Sequence, residues 1–312
     1  MIMLENSKQA RTSAVFGWLV HIIARTGSAR IRDILLRIRR LWLRLDEPNF
    51  IYQMNGIPCL LPGSHALPVY QGLFPQYDTL MSRLVAFLKS RKPKPLVVVD
   101  IGANVGDTAM PVLAEEGTFL VAVEGEAQYL PFLRHNLSAF TDRSYIVDRF
   151  VGKSSGVRYK TVVQAGTARL ERADEDAAAH DDSLFVGLDG ALTEAGVERL
   201  DLLKVDTDGF DTKILRESEP VLRAHLPVIL FEFDPALFAK AGEDGWDVFN
   251  YLNSIGYQGL LVYRNTGEFL IEYPKIDDQV EADLKLAIGN DGIVYVDIVA
   301  YAGEGALAEF HK

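Results

Sequence analysis

Asp100-Ile101-Gly102-Ala103-Asn104-Val105-Gly106-Asp107 is the stretch on which the fold turns. Residues 96–100 ahead of it form a short apolar run, as in a strand buried on both faces of a parallel sheet. Residues 107–116 read as a helix, with Pro111 near the first turn, where proline is tolerated. Strand, glycine-bearing turn and helix in that order make the ligand corner of an open α/β sheet. Gly102 and Gly106 let the backbone turn sharply and approach a ligand with no Cβ in the way. A dinucleotide loop would place a glycine where Asn104 stands and offer its helix N-terminus to a pyrophosphate. Asp100 and Asp107 would repel that group, and they suit a ligand carrying an ammonium and a sulfonium. Asp100, Gly102, Asn104, Gly106, Asp107 and Thr108 are therefore the expected cofactor contacts.

Working outward, a second strand over 119–124 ends in Glu124, 22 residues after Gly102. An acid at that place can accept hydrogen bonds from a ribose diol. Strands over 144–151, 158–163, 202–206 and 228–233 follow, alternating with helices over 127–140, from 211 to 217, and through most of 235–255. An acidic loop spans 171–182. Residues 260–263 and 268–271 flank Asn265-Thr266-Gly267, a hairpin signal, and 293–300 is a last strand. The alternation predicts an α/β fold: a doubly wound, mostly parallel seven-stranded sheet, Rossmann-like, with an antiparallel C-terminal edge. The expected organisation is an N-terminal helical extension over 1–47, a linker and leading helix over 48–95, and a ligand-binding domain over 96–312. In the linker, Asp78 is placed to cap a helix running to Lys89.

The single cysteine, Cys59, precludes a disulfide framework within one chain, reads as a small buried hydrophobe, and suits a reducing cytoplasm. The net charge of −11 is unevenly spread. Residues 1–44 carry nine Lys and Arg against Glu5 and Asp33, a net of +7, so the remainder is −18. An acidic body repels a nucleic-acid backbone. No apolar stretch near the N-terminus is long enough to cross a membrane, and no secretory cleavage pattern follows it. Residues 31–45 read as a basic amphipathic helix, with Ile31, Ile34, Leu35, Ile38, Leu41, Trp42 and Leu45 inside an arc of about 120°. Arg32, Arg37, Arg39, Arg40 and Arg44 take the other side. Two readings stand: the apolar stripe packs on the domain, or it lies on an anionic membrane surface as a peripheral contact.

With these residues assembled, the chain resembles the FkbM-type methyltransferase family over roughly residues 96–233. The blocks that carry the likeness are 99–107; Val123-Glu124-Gly125 followed by Leu133, Asn136 and Leu137; Leu188-Asp189; and residues 202–211, with Phe231-Glu232 as a later strand end. The resemblance implies a class I fold, S-adenosylmethionine as cofactor, and O-methylation of a hydroxyl on a sugar, glycan or natural product. The family pattern has glutamates where this chain has Asp208 and Asp211, each one methylene shorter.

Transfer of a methyl group to an alcohol needs positioning and a proton acceptor. Lys204, Asp206, Asp208 and Glu232 are the candidate catalytic residues. In one design Lys204 and a carboxylate orient the hydroxyl and take its proton. In the other, Asp206, Glu232 and Asp234 surround a hard divalent cation such as Mg that lowers the alcohol's pKa. Lys204 paired with Asp206, and Asp211 complementing a helix dipole, are the structural alternatives. The six histidines are scattered; His135 reads as structural, and His180 could enter the mouth from the acidic loop. A non-catalytic binding or scaffold protein that keeps the fold is the competing function.

Overall fold

A computed structural model of the chain describes residues 7–92, 95–152, 159–164, 167–172, 182–290, 293–303, 307 and 309–311. Helices α1 (Ser7–Arg25) and α2 (Ala29–Leu43) come first, then the hairpin β1 (Phe50–Met54) and β2 (Ile57–Leu61). Its turn, Asn55-Gly56, has φ of 51° and 88°, the two left-handed residues that a tight hairpin with right-handed twist requires. Helices α3 (Leu67–Leu73) and α4 (Leu80–Lys89) lead into β3 (Leu96–Ile101), α5 (Ala109–Ala114), β4 (Thr118–Val123), α6 (Leu130–Asn136) and β5 (Ser144–Val147). Short strands follow: β6 (Phe150–Val151), β7 (Tyr159–Gln164), β8 (Thr167–Arg172) and β9 (Phe185–Val186). The second half runs α7 (Leu188–Glu194), β10 (Leu202–Val205), α8 (Asp211–Glu217), α9 (Glu219–His225), β11 (Val228–Phe233), α10 (Pro235–Ala241) and α11 (Val248–Ser254). It ends with β12 (Gly259–Arg264), β13 (Phe269–Tyr273), α12 (Asp278–Asn290) and β14 (Val296–Tyr301).

The main sheet has eight strands in the order β13-β12-β14-β11-β10-β3-β4-β5. Strands β3, β4, β5, β10 and β11 are parallel, and β12, β13 and β14 close one edge antiparallel. The chain winds outward from β3 through β4 to β5, then returns to build the other half from β10. The switch point therefore lies between β3 and β10, and ligands of such sheets bind there. Every residue of β3 is buried, as a central parallel strand covered on both faces requires. Val99, Ile101, Val121, Val123, Leu203 and Val205 point into one layer, and Leu96, Val98, Leu120, Ala122 and Leu202 into the other. Phe16 and Val20 of α1, Phe50 and Leu61 of the hairpin, and Leu80 and Leu84 of α4 share the second layer. The leading segments thus continue the core of the sheet.

Several local expectations change. Of the strand expected at 158–163, the described residues 159–163 belong instead to the hairpin of β7 with β8, outside the main sheet. Residues 144–151 divide into β5 and β6, and β6 pairs with β9. The helical stretch 235–255 breaks where Gly242 adopts φ 80° and ends α10. Asp78 does not cap α4; Thr79 holds that place, and Asp78 sits at φ 59° facing a pocket. Helix α12 went unread in the sequence; Val280, Leu284, Ala287 and Ile288 pack its inner face, but Ala282 and the exposed Leu286 blur the stripe. Residues 173–181 of the acidic loop, with His180, lie outside the described residues.

Helix α2 forms as expected, but its inward face is turned away from most of the apolar stripe, onto Arg39 and Trp42. Arg39 is buried and donates to the carbonyls of Gly63 (2.7 Å) and His65 (2.9 Å), while Ile31, Ile34, Ile38, Leu41 and Leu45 are exposed. Of the seven residues of that stripe, Leu35 is half-buried and Trp42 packs edge-on against Phe16 at 5.5 Å, but the other five do not pack on the domain. An arginine that satisfies two loop carbonyls has taken the inward position.

Candidate active site

Strands β3, β4, β10 and β11 end on one side of the sheet, and the turns beyond them enclose a pocket. In the turn after β3, Gly102 (φ 83°), Asn104 (φ 49°) and Gly106 (φ 87°) are all left-handed. Asparagine tolerates that conformation better than most residues. Crowding fixes Gly102 as firmly as conformation does, since a Cβ there would lie 1.9 Å from the main-chain oxygen of Asp206. A Cβ on Gly106 would lie 3.0 Å from Leu133 and 3.6 Å from Leu137. Asn136 Nδ2 donates to Val105 O (2.8 Å) and Leu60 O (3.0 Å), and its Oδ1 accepts from Leu60 N (2.8 Å). The Leu133, Asn136, Leu137 block is thus a mount that ties the turn to β2.

Glu124 is buried at the pocket wall just beyond β4. Its Oε2 accepts from Asn104 N (2.8 Å) and its Oε1 from Glu126 N (2.6 Å). Burial pushes its carboxyl up to about 7, against the opposing pull of those two amide donors. Each oxygen keeps a second lone pair, enough to receive a pair of hydroxyls. Gly102, Asn104, Asp107 and Thr108 also line the pocket. Asp107 is pushed up to about 6, by burial first and then by Asp100, with Lys204 pulling it down.

Asp100 and Gly106, expected as direct cofactor contacts, do not reach the pocket wall. Asp100 is fully buried beneath it. Its Oδ2 accepts from Thr108 Oγ1 at 2.6 Å, and its Oδ1 lies 3.2 Å from Lys204 Nζ. Lys204 Nζ also lies 3.0 Å from Asp206 Oδ2. Burial pulls the lysine's pKa down, but Asp100 and Asp206 outweigh it and hold it well above its usual value. Lys204 is thus a fixed ammonium that can orient and donate but cannot accept a proton near neutral pH. The ion pair weighed in the sequence is present, with Asp100 as a third member.

The turn after β10 brings Asp206, Thr207 and Asp208 to the pocket, Asp208 at φ 52° and Gly209 at φ 122°. Asp211 does not reach it. It is buried, and it accepts from Thr207 N (3.1 Å) and Gly209 N (3.2 Å), closing the turn from within. Glu232 lines the pocket and pairs in register with Asp297 across β11 and β14. Burial and then Asp206 push Glu232 well above the usual carboxylate range and Asp297 up to about 8. Asp234 caps α10, its Oδ1 accepting from Ala236 N (2.8 Å) and Leu237 N (3.0 Å). The trio Asp206, Glu232 and Asp234 is therefore not brought together. Among the described residues no group of three His, Cys, Asp or Glu side chains is placed to hold a metal ion.

One wall of the pocket comes from a segment read as a linker: His65, Tyr70, Tyr77 and Asp78. His65 Nδ1 accepts from Leu67 N (3.2 Å), and burial pulls its pKa down to about 4, so the ring is neutral. Tyr295, Tyr129, Phe150 and Lys213 add to the walls. The turn-rich composition of 46–77 gave no periodicity that could place these side chains; Pro62-Gly63 beside His65 was the one local signal.

The family description "Methyltransferase FkbM domain" matches residues 100–258. Several solved structures are distantly similar to the chain. A methyltransferase FkbM from Methylobacillus flagellatus is 15% identical, covering 82% of this chain and 56% of its own, with a TM-score of 0.37. An O-methyltransferase from Bacillus cereus is 11% identical over 76% of this chain and 89% of its own, with a TM-score of 0.42. A putative O-methyltransferase from Klebsiella pneumoniae is 10% identical over 71% and 79%, at 0.41. No curated protein matches the chain.

Proposed function

Because the chain belongs to the FkbM methyltransferase family, we propose that it moves a methyl group from S-adenosylmethionine to a hydroxyl of a sugar, glycan or natural product. The donor set fits that cofactor: Asp78, Asp107 and Glu124 line the pocket, an acidic surround suited to a ligand with an ammonium and a sulfonium. Glu124 would hold the ribose hydroxyls, and the glycine turn would let the backbone approach. When bound, the cofactor supplies an electrophilic methyl carbon on a sulfonium and leaves as a neutral thioether.

The observation that carries the O-methylation reading is the pair of Lys204 and Asp206 at the pocket wall beside that turn. An alcohol attacking the methyl carbon must lose its proton as the new C–O bond forms and the C–S bond breaks. Lys204, fixed by Asp100, holds Asp206 by one oxygen and leaves the other to take that proton. Glu232, whose carboxyl burial pushes well above its usual range, can in its protonated form donate to the acceptor rather than compete for its proton. Asp208 lies on the same wall and contributes to acceptor binding. Neutral His65 and the Tyr70 and Tyr77 rings form a wall against which a sugar or ring-bearing acceptor can stack.

The test is release of S-adenosylhomocysteine from S-adenosylmethionine across a panel of hydroxyl acceptors, with Asp206→Asn beside the wild type. The expected outcome is turnover on at least one acceptor and a drop of roughly 10²–10⁴-fold in Asp206→Asn, with cofactor affinity retained. Cofactor binding without turnover on any acceptor would favour the scaffold reading instead.

A further inference from the structure

The exposed face of α2 has an internal order that the methyl-transfer site does not use. Ile31, Ile38 and, in the turn just past the helix end, Leu45 repeat every seventh residue; Ile34 and Leu41 form the adjacent row, and Arg30, Arg37 and the C-cap Arg44 the row beside that. Successive rows are about 40–60° apart on a helix of 3.6 residues per turn. The five apolar side chains are 51, 58, 44, 60 and 89% exposed in the order Ile31, Ile34, Ile38, Leu41, Leu45. Arg30, Arg37, Arg40 and Arg44 are exposed too, and among the described residues none of them has a carboxylate partner. The one acid of the helix, Asp33, lies beyond the arginine row.

We propose that α2 is a membrane-surface anchor, its Ile31, Ile34, Ile38, Leu41 and Leu45 stripe lying in an anionic lipid leaflet with Arg30, Arg37 and Arg44 reaching the headgroups. An apolar stripe bordered by a basic row is what an in-plane helix needs, the aliphatic stems of the arginines letting their heads rise to the phosphates. Arg39 anchors the opposite face to the carbonyls of Gly63 and His65, so the stripe points away from the body without any rearrangement. The stripe also has coiled-coil spacing, which raises a second copy of the chain as the occupant. Charge disfavours it. An antiparallel partner would set the arginine row against its own copy, and a parallel one would set it against Leu35 and Trp42. An anionic leaflet satisfies Arg30, Arg37 and Arg44 together, and the acidic remainder of the chain is repelled from it, which fixes the orientation. No helix among the described residues is long and apolar enough to cross a membrane, so the contact is with one leaflet.

Co-sedimentation of the full chain with phosphatidylcholine vesicles, with and without phosphatidylglycerol, tests this. The chain is expected to sediment with the anionic vesicles alone, and added salt is expected to release it. The double variant Ile34→Ser/Leu41→Ser, and separately Arg37→Glu/Arg44→Glu, should each lower partitioning by about tenfold or more. Their thermal melts should match the wild type, because all four side chains are exposed. Absent binding, equal binding to neutral vesicles, or binding unmoved by both variant pairs would overturn the proposal. So would a concentration-dependent dimer that Ile34→Ser/Leu41→Ser dissolves, which would assign the stripe to a second copy.

Discussion

The turn after β3 is held from outside, by Glu124 beyond the next strand and Asn136 of α6, whereas the turn after β10 is held from within, by Asp211 four residues on. The first has the amides of Gly102, Ala103, Asn104 and Gly106 engaged and its glycines in place before any ligand arrives. It is a preorganised cradle, and that is what a common cofactor calls for. The second uses its buried acid for its own backbone and leaves Asp206 and Asp208 facing the pocket. On the proposed function, it is where an acceptor would be recognised and its proton taken. The difference also accounts for aspartate where the family pattern has glutamate at 211. The amides it closes are two and four residues away, within reach of the shorter side chain.

The two turns meet at one atom, and breaking that contact should have the largest effect. Gly102→Ala would place a Cβ 1.9 Å from Asp206 O, on a backbone at φ 83°, and a main-chain oxygen cannot swing aside. We expect a loss of roughly 3 kcal/mol or more, seen as a lowered denaturation midpoint together with weakened cofactor binding. A variant with the wild-type midpoint would mean that the turns are independent. Lys204→Met acts on the second link, between the floor of the first turn and the carboxylate of the second. It leaves Asp100, which is 0% exposed, with Thr108 alone against its charge, at a cost on the order of 3–5 kcal/mol. Adding Asp100→Asn should recover part of the midpoint but none of the turnover. Full stability in Lys204→Met alone would show that Asp100 does not depend on the lysine.

How much of this could be read beforehand follows the same division. The alternation of strands and helices, the glycine turn and the acid ending the second strand are local patterns, and the sheet places them together as expected. Asp100 shows the limit. Its position in the motif suggested a ligand contact, but a residue inside a central strand is buried by its neighbours, and only the paired strand β10 reveals Lys204 as its partner. Asp234 likewise read as a ligand because it ends a strand, though the proline after it already marked a helix start that an aspartate can cap. His65 and Tyr77 stayed invisible because no period governs a turn-rich stretch. Hydrophobicity alone does not settle the inward face of α2, because the pairing of Arg39 with two loop carbonyls depends on residues 24 and 26 positions away.

The central claim is that the first turn and Glu124 hold the cofactor. The Glu124 carboxyl rises from 4.5 to about 7 on folding. It therefore holds a proton in the folded chain where the unfolded chain has released it, so its burial costs stability as pH rises from 4.5 through 7. Ribose hydroxyls donate to the ionised form, so binding should release a proton and tighten as pH rises across the same value. Calorimetric titration with S-adenosylhomocysteine from pH about 6 to about 8 should show affinity increasing up to about tenfold in the wild type. Glu124→Gln should bind more weakly at the upper end and lose most of the rise, which separates Glu124 from Asp107. Absent binding at every pH, or a wild-type affinity that neither pH nor Glu124→Gln alters, would contradict the account.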